Sequence, residues 1–348
     1  MNRLCQSSYG KLEAVINIAG YNGNAQRQLV HFYREQTTGQ WSACAVVSSN
    51  AESGGSIIQS SSKNHPDQKH GNFEVIVIED GGVLQHYTRD NTVPVDNGVF
   101  AWRLSATVTA ASGSTPPISA VHAAPLFQSQ LSMDKSSDGT TLETVVIDRH
   151  RRAIHYRCAQ YGTGNNSVER QNRWCEGRVI TDWATGPASI YQTSPKALIA
   201  IVPSEDGVNE YHFASDTWSL VRKVTANGDP GCLYTRDGKL KVLLRIKHEI
   251  YGMQHHFNGS TIIWKITPAL SASFGRISHT PYHRVLATNP ITVISQSNDS
   301  HDIEAIVFHP CGMGPQDAWM VLQWSCLPGT GEWVVRNVVL PHVIGMPL

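Results

Sequence analysis

The amino-acid sequence predicts an all-β fold made of one repeated unit. Gln–Ser pairs or close variants recur along the chain, and each is followed by an apolar run of strand length. A third run has a histidine or an aromatic residue near its centre, and a fourth run contains a tryptophan. Four short strands repeated six times are typical of a six-bladed β-propeller with four antiparallel strands per blade.

The first predicted strand of each unit contains the Gln–Ser pair or its variant. The five glutamines and the one tyrosine that replaces them are Gln6, Gln59, Gln128, Gln192, Tyr234 and Gln296. We expect these strands to line a central channel, with the glutamine side chains bonding to backbone groups between neighbouring blades.

The second and third predicted strands form a hairpin, which is clearest in FEVIVIEDGGVLQHYTR from Phe73 to Arg89. Its Asp80-Gly81-Gly82 segment is typical of a tight turn. The runs equivalent to FEVIVI begin at Leu12, Leu142, Ala197, Leu240 and Ile303. Because these runs are almost continuously apolar, they predict strands that are buried on both faces.

Two residue types recur in the third and fourth strands, and we predict that both are structural. The third strand repeats a histidine at His31, His86 and His155. The fourth strand contains six of the nine tryptophans, at Trp41, Trp102, Trp174, Trp218, Trp264 and Trp333. Residues shared by many repeats are usually scaffold, so the tryptophans are expected to fill the wedge between blades.

These strands predict one β-propeller domain over residues 1–348. The predicted blades span about 1–47, 56–110, 125–181, 188–225, 231–268 and 291–340. Residues 269–291 contain no clear second or third strand, which leaves a long loop or a degenerate seventh blade as alternatives. The tail from Leu340 is a candidate to pack over the seam between the first and last blades.

Composition and charge exclude several classes of function. The chain of 348 residues has 28 Lys+Arg and 28 Asp+Glu, so nothing points to nucleic acid or to a charged membrane surface. No apolar run is long enough to span a bilayer, and the first residues have no apolar signal region, which predicts a cytoplasmic protein. Seven cysteines without a Cys-x-x-Cys pair predict buried thiols, and neither a metal nor a cofactor is expected.

The repeat resembles a unit of fungal and bacterial β-propeller proteins, including sugar-binding lectins. The resemblance is clearest in SIIQSS, GNFEVIVIEDGGVLQHYTRDN and the Trp102 strand. One similar group is the six-bladed fucose-binding lectins of fungi. By overall likeness only, the chain also resembles the fungal hetero-Diels–Alderases of tropolone–sesquiterpenoid biosynthesis.

The repeats diverge in a way that argues against six equivalent sugar sites. The fucose lectins repeat an arginine, a glutamate and an aromatic residue around the ring. Here Arg34, Arg89 and Arg157 recur in the third strand of only three units. A glutamate recurs in the second strand as Glu13, Glu74, Glu143 and Glu304, but the fourth and fifth units have no matching glutamate. A conserved scaffold with divergent loops therefore predicts one asymmetric pocket at the loop ends.

The candidate site residues lie in or beside the loops that connect the predicted strands. These loops are rich in His, Arg and Tyr. The expected catalytic residues are Arg276, His279, Tyr282, His283 and His248. The expected substrate-binding residues are His122, Arg149, His150, Tyr251 and His309. Such groups can polarise a carbonyl or tropolone oxygen and move a proton.

Our first hypothesis is an enzyme of fungal secondary metabolism that catalyses a cyclisation, most specifically a hetero-Diels–Alder cycloaddition between a tropolone quinone methide and a terpene alkene. Cycloaddition needs orientation rather than a nucleophile, and the sequence has no recognised nucleophile motif. Its partner would be a small apolar molecule, and homo-oligomers are possible. The alternatives are a fucose-type lectin and a propeller polysaccharide lyase.

Overall fold

The computed structural model describes residues 4–19, 26–53, 55–63, 68–91, 101–108, 119–122, 125–129, 140–159, 174–194, 197–226, 229–236, 239–246, 249–258, 261–267, 292–294, 303–310, 318–326 and 333–344. Beyond residue 228, side chains are described only for Gln323, Ser325 and Val339. All regular elements in these ranges are β-strands.

The strands form six antiparallel sheets that follow one another along the chain. Sheet 1 contains β1 Leu4–Gln6, β2 Leu12–Ala19, β3 Arg27–Arg34 and β4 Trp41–Ser48. Sheet 2 contains β5 Ser56–Gln59, β6 Phe73–Glu79, β7 Val83–Arg89 and β8 Trp102–Thr107. Sheet 3 contains β9 Ala120–His122, β10 Leu126–Ser129, β11 Thr141–Asp148, β12 Ala153–Ala159 and β13 Trp174–Thr181.

The remaining sheets have four strands each. Sheet 4 contains β14 Ser189–Ser194, β15 Ala197–Ser204, β16 Gly207–Ala214 and β17 Thr217–Thr225. Sheet 5 contains β18 Asp229–Arg236, β19 Lys239–Ile246, β20 Glu249–Asn258 and β21 Thr261–Thr267. Sheet 6 contains β22 Thr292–Ile294, β23 Ile303–Pro310, β24 Ala318–Cys326 and β25 Trp333–Ile344.

In sheets 1 to 4, where side chains are described, the apolar core lies between consecutive sheets, because the side chains of the second strand point alternately to its two faces. In β6, Val75 and Val77 pack with Val15 and Leu29 of sheet 1. The intervening residue Ile76 packs on the other side, in a cluster that includes sheet 3. The prediction that these strands are buried on both faces is therefore confirmed for the sheets whose side chains are described.

Consecutive sheets also contact each other through their first strands. The contacts join β1 to β5, β5 to β10, β10 to β14, β14 to β18 and β18 to β22, and β22 contacts β1. In addition, Val339 of β25 belongs to the apolar cluster of sheet 1, which includes Leu4 and Ile16. Sheets 1 and 6 thus lie against each other although they occupy opposite ends of the chain.

The four-strand order of each predicted unit is the order that the structure shows. Two details differ from the sequence-based expectation. The tail from Leu340 does not leave the last sheet, because β25 continues to Ile344, which pairs with Ala318. A short extra strand, β9, pairs with the end of β11 and lies between the second and third predicted blades.

Residues 269–291, the predicted long loop or degenerate blade, lie outside the described residues. Within the described ranges, no helix has the length and apolar character needed to cross a membrane.

Candidate functional site

Buried glutamate–histidine pairs occupy the same place in sheets 1, 2 and 3. The side chain of His31 bonds to Glu13 at 2.9 Å, His86 bonds to Glu74 at 2.9 Å, and His155 bonds to Glu143 at 2.7 Å. All six side chains are buried. Because a buried carboxylate is tolerated only with bonded partners, these pairs are parts of the scaffold.

In two of these pairs, a tryptophan of the next sheet completes the chain of hydrogen bonds. The indole Nε1 of Trp174 in sheet 3 donates to Nδ1 of His86, and Trp218 in sheet 4 donates to Nδ1 of His155, both at 3.3 Å. Since Nδ1 accepts the hydrogen bond from the indole, the ring N–H is assigned to Nε2, which donates a hydrogen bond to the glutamate. This geometry agrees with the predicted structural role of the repeated histidine and tryptophan.

Two glutamines of the first strands, Gln59 and Gln128, link consecutive sheets, as predicted. Oε1 of Gln59 accepts a hydrogen bond from the backbone N–H of Ser8 in sheet 1. Oε1 of Gln128 accepts one from the backbone N–H of Ser61 at 3.0 Å. Each glutamine therefore bonds to the residue that follows the Gln–Ser pair of the preceding sheet.

The three arginines that the sequence aligns are not structurally equivalent, which corrects our alignment. Arg89 pairs with Phe73 and faces sheet 1, whereas Arg157 pairs with Glu143 and faces sheet 4. Arg34 pairs with Leu12, in the register of Arg89. A shift of one residue along a strand moves a side chain to the opposite face of the sheet, so Arg157 belongs to a different groove.

Groove 3–4 is the mouth between sheets 3 and 4, defined by Arg157, Arg178, Phe213, Asp216 and Trp218. The guanidinium of Arg157 lies 4.5 Å from the centre of the Phe213 ring. Asp216 lies 3.5 Å from NH1 of Arg157 and 2.9 Å from NH2 of Arg178. Phe213 and Trp218 contact each other and the His155 ring, so the aromatic wall is held in place.

Arg157 is the side chain in this groove with unused bonding capacity. Its side chain is only 14% exposed, yet Nε is 3.6 Å from Oε2 of Glu143 and has no hydrogen-bond partner in the described structure. Distances of 3.5 and 3.6 Å to Asp216 and Glu143 exceed good hydrogen bonds. A guanidinium has five donors, so this one can bind a ligand through several of them.

The turn that places Asp216 in groove 3–4 has an unusual backbone. Ser215 and Asp216 have φ angles of 53° and 62°, in the left-handed region. A two-residue hairpin with two positive φ angles normally uses Asn and Gly, because other side chains are strained there. The turn therefore holds a carboxylate beside two arginines at some conformational cost.

Groove 1–2 is the corresponding mouth between sheets 1 and 2, defined by Tyr9, His31, Cys44, Arg89 and Trp102. NH1 of Arg89 lies 3.1 Å from Nδ1 of His31, the atom that accepts from tryptophan in the next two pairs. Trp102 instead packs edge-on against the His31 ring, and its buried Nε1 has no partner in the described structure. Burial and the Glu13 carboxylate raise the pKa of Tyr9.

Among the described residues, the groove between sheets 2 and 3 has no counterpart of Arg89 or of Arg157. Thr88 takes the position of Arg157, because it pairs with Glu74 as Arg157 pairs with Glu143. Cys158 pairs with Leu142 and takes the position of Arg89. The three grooves with described walls are therefore chemically different.

Three of the predicted substrate-binding residues meet at one end of sheet 3. His122 pairs with Ile147, and the backbone N–H of Arg149 donates to Ser119 beside β9. The backbone N–H of His150 donates to the buried Asp148 carboxylate. Arg149 and His150 are exposed and His122 is half-buried.

The other predicted site residues cannot be placed in a site. Arg276, His279, Tyr282, His283 and His248 lie outside the described residues. Tyr251 lies in β20 and His309 in β23, where only the backbone is described. The groove residues that the sequence reasoning did not select, Arg157, Arg178 and Asp216, come together only through the packing of two sheets. The described side chains contain no cluster of three or more His, Cys, Asp or Glu that could hold a metal ion.

No protein-family model matches the chain, and no curated protein matches it significantly. Solved structures do match it over nearly its whole length. The SapL1 lectin, in complex with alpha methyl fucoside, matches with a TM-score of 0.50 and 10% identity over 97% of this chain and 98% of its own.

Two further structures match to a similar extent. AofleA from Arthrobotrys oligospora matches with a TM-score of 0.55 and 9% identity over 98% of this chain and 87% of its own. The BP39L lectin from Burkholderia pseudomallei matches with a TM-score of 0.52 and 12% identity over 98% of this chain and 84% of its own. At these identities the likeness concerns the fold alone, and that fold is of the β-propeller type.

Proposed function

We propose that the six sheets are the blades of one closed β-propeller and that the protein is a carbohydrate-binding lectin. Closure is supported by the contact between β22 and β1 and by Val339 in the core of sheet 1. It is also supported by a hydrogen bond of 3.1 Å from Nε1 of Trp41 in sheet 1 to Oε1 of Gln323 in sheet 6.

The Trp41 bond repeats the tryptophan contact seen between interior sheets. Gln323 pairs with Ile306 as His86 pairs with Ile76, and both isoleucines follow a glutamate by two positions. Gln323 thus takes the place of the histidine, and its side-chain oxygen accepts the hydrogen bond from the indole N–H. A ring of sheets then has no free outer face at either end of the chain.

Arg157 in groove 3–4 is the observation on which the carbohydrate proposal rests. A largely buried guanidinium with unused donors lies between a carboxylate and an aromatic wall. Sugars combine hydroxyl groups, which need both donors and acceptors, with apolar C–H faces that pack on aromatic rings. Arg157, Arg178, Asp216 and the half-buried Trp218 supply all three kinds of contact.

The finer proposal is a preference for fucose-type sugars, and it rests on the likeness to a lectin solved with a fucoside. Because groove 3–4 differs from the other two described grooves, we expect few sites rather than six equivalent ones. A low number of sites also agrees with the divergence among the sequence repeats.

The comparisons favour this carbohydrate-binding alternative over our first hypothesis. They offer no support for a cycloaddition or for a tropolone or terpenoid substrate. Five of the residues that would perform it lie outside the described ranges, so that hypothesis stays a prediction from the sequence.

A glycan array followed by titration calorimetry tests the proposal. We expect binding of fucosides or related neutral sugars at millimolar concentration or below. Arg157→Met should weaken the affinity at least tenfold, which corresponds to about 1.4 kcal/mol. Arg103→Met, at an exposed arginine on β8, is the matched control and should leave the affinity unchanged.

Two results would overturn the proposal. One is the absence of binding to any sugar on the array at millimolar concentration. The other is an unchanged affinity of a folded Arg157→Met variant, which would move any sugar site out of groove 3–4. Circular dichroism of each variant verifies that it is folded.

A further inference from the structure

Cys44 lies at a β-bulge that turns its side chain towards groove 1–2. On β3, His31 pairs with Ala45 and Phe32 pairs with Ala43, so Cys44 is the extra residue on β4. Bulges commonly redirect a side chain out of the regular alternation of a strand. In sheet 2 the equivalent extra residue is Ser105, because His86 pairs with Ala106 and Tyr87 pairs with Leu104.

A continuous chain of polar groups leads from a buried carboxylate to the Cys44 sulfur. Glu13 bonds to Nε2 of His31 at 2.9 Å, and NH1 of Arg89 is 3.1 Å from Nδ1 of the same ring. The same NH1 donates to Sγ of Cys44 at 3.6 Å. The two hydrogens of NH1 can therefore serve the imidazole and the sulfur together.

The position of Arg89 makes this thiol different from the other described cysteines. Arg89 is 6% exposed, so water does little to screen its charge, and Cys44 is partly exposed. Burial raises the pKa of Cys44, but His31 and Arg89 outweigh it and lower the pKa overall. In contrast, burial raises the pKa of Cys5 and of Cys158, both of which are enclosed in the core.

We propose that Cys44 is a thiol-modification site that reacts with small disulfides. The Cys44 thiolate attacks one sulfur of the disulfide, the existing S–S bond breaks, and a mixed disulfide forms on Cys44. The other half of the reagent leaves as a thiolate with the electron pair of the broken bond, and the proton from Cys44 passes to the solvent. This inference is independent of the proposed sugar site, which lies in groove 3–4.

Labelling of the folded full-length chain with the neutral reagent dithiodipyridine tests the proposal. The released thiopyridone gives the total rate, and mass spectrometry of a digest assigns the label to each cysteine. At neutral pH we expect Cys44 to react first, at least tenfold faster than the partly buried Cys175. Cys44→Ser should abolish this fast phase.

Arg89 variants separate the effect of charge from that of exposure. Arg89→Met should slow the labelling of Cys44 at least fivefold and leave the rate at Cys175 unchanged. Arg89→Lys keeps the cation and should retain most of the rate, so it also covers the case in which Arg89→Met does not fold. Equal rates at Cys44 and Cys175, or an unaffected Cys44 rate in the folded Arg89→Met variant, would overturn the proposal.

Discussion

At the scale of single residues, the fold depends on ionisable groups that are buried together. Glu74, His86 and Trp174 form a chain in which each donor has an acceptor of the right kind. The same logic explains why these residue types recur in the sequence, since replacing one member leaves the others unsatisfied in the core.

Loss of one member of a buried pair should be costly. His86→Ala leaves the Glu74 carboxylate without its imidazole and Trp174 without an acceptor, so we expect a loss of about 3–5 kcal/mol in the free energy of unfolding. Glu205→Gln is the control, because the Arg151–Glu205 pair is 44% and 63% exposed, against 0% and 1% for His86 and Glu74. The control should change stability by less than about 1 kcal/mol. A urea titration measures both, and a loss below 1 kcal/mol for His86→Ala would contradict the structural role.

Ionisation of Tyr87 should lower the free energy of unfolding at alkaline pH. Burial and a hydrogen bond from its hydroxyl to Glu79 raise its pKa from 10.0 to about 12. The folded state therefore holds the proton more tightly than the unfolded state, and this stability is present below pH 10 and lost as the pH rises towards 12. Tyr87→Phe should flatten the fall in unfolding free energy between pH 10 and pH 12. Urea titrations across this range measure the slope, and identical slopes would refute the assignment.

At the scale of elements, strand register and turns decide which residues meet. The sequence spacing places Arg157 two residues after its histidine, whereas Arg89 follows its histidine by three residues. That difference is small in an alignment, but it reverses the face of the sheet and moves the guanidinium from one groove to another. The Ser215–Asp216 turn then brings a carboxylate from the next sheet to it.

The same substitution should have opposite effects at two serines of sheet 4. Ser215 has a φ of 53°, so Ser215→Gly relieves strain and should stabilise the protein by about 0.5–1 kcal/mol. Ser219 is exposed within β17, where Ser219→Gly should destabilise it by a similar amount. Thermal unfolding followed by circular dichroism compares the two variants. Equal effects of the same sign would show that the turn is not strained.

At the scale of the whole molecule, the stability of the first sheet depends on its contacts with the last sheet. Val339 and Gln323 of sheet 6 contact sheet 1 through the core cluster and the Trp41 hydrogen bond. In an open array the terminal sheets would each expose an apolar face, so the proposed closed ring would remove two weak ends at once.

A double-mutant cycle across the seam measures this closure. Trp41→Phe removes the indole donor and Gln323→Met removes its acceptor, so we expect a coupling of about 1 kcal/mol between them. Combining Trp41→Phe with Gln128→Met, on sheet 3, is the control and should be additive within about 0.5 kcal/mol. A coupling of zero between Trp41 and Gln323 in urea titrations would contradict a closed ring.

The sequence alone determined the local structure of this protein, because strand periodicity, turn glycines and repeated residues act over short distances. It predicted the four-strand unit and its six copies, which the structure shows. It also predicted structural histidines and tryptophans, which agrees with the buried contacts in the sheets whose side chains are described. Tertiary structure decided the candidate site. The grooves form between side chains of different sheets, so a one-residue shift in register and one turn conformation determine which side chains line them. The content of His, Arg and Tyr in the loops therefore could not reveal Arg157, Asp216 or the Arg89–Cys44 contact.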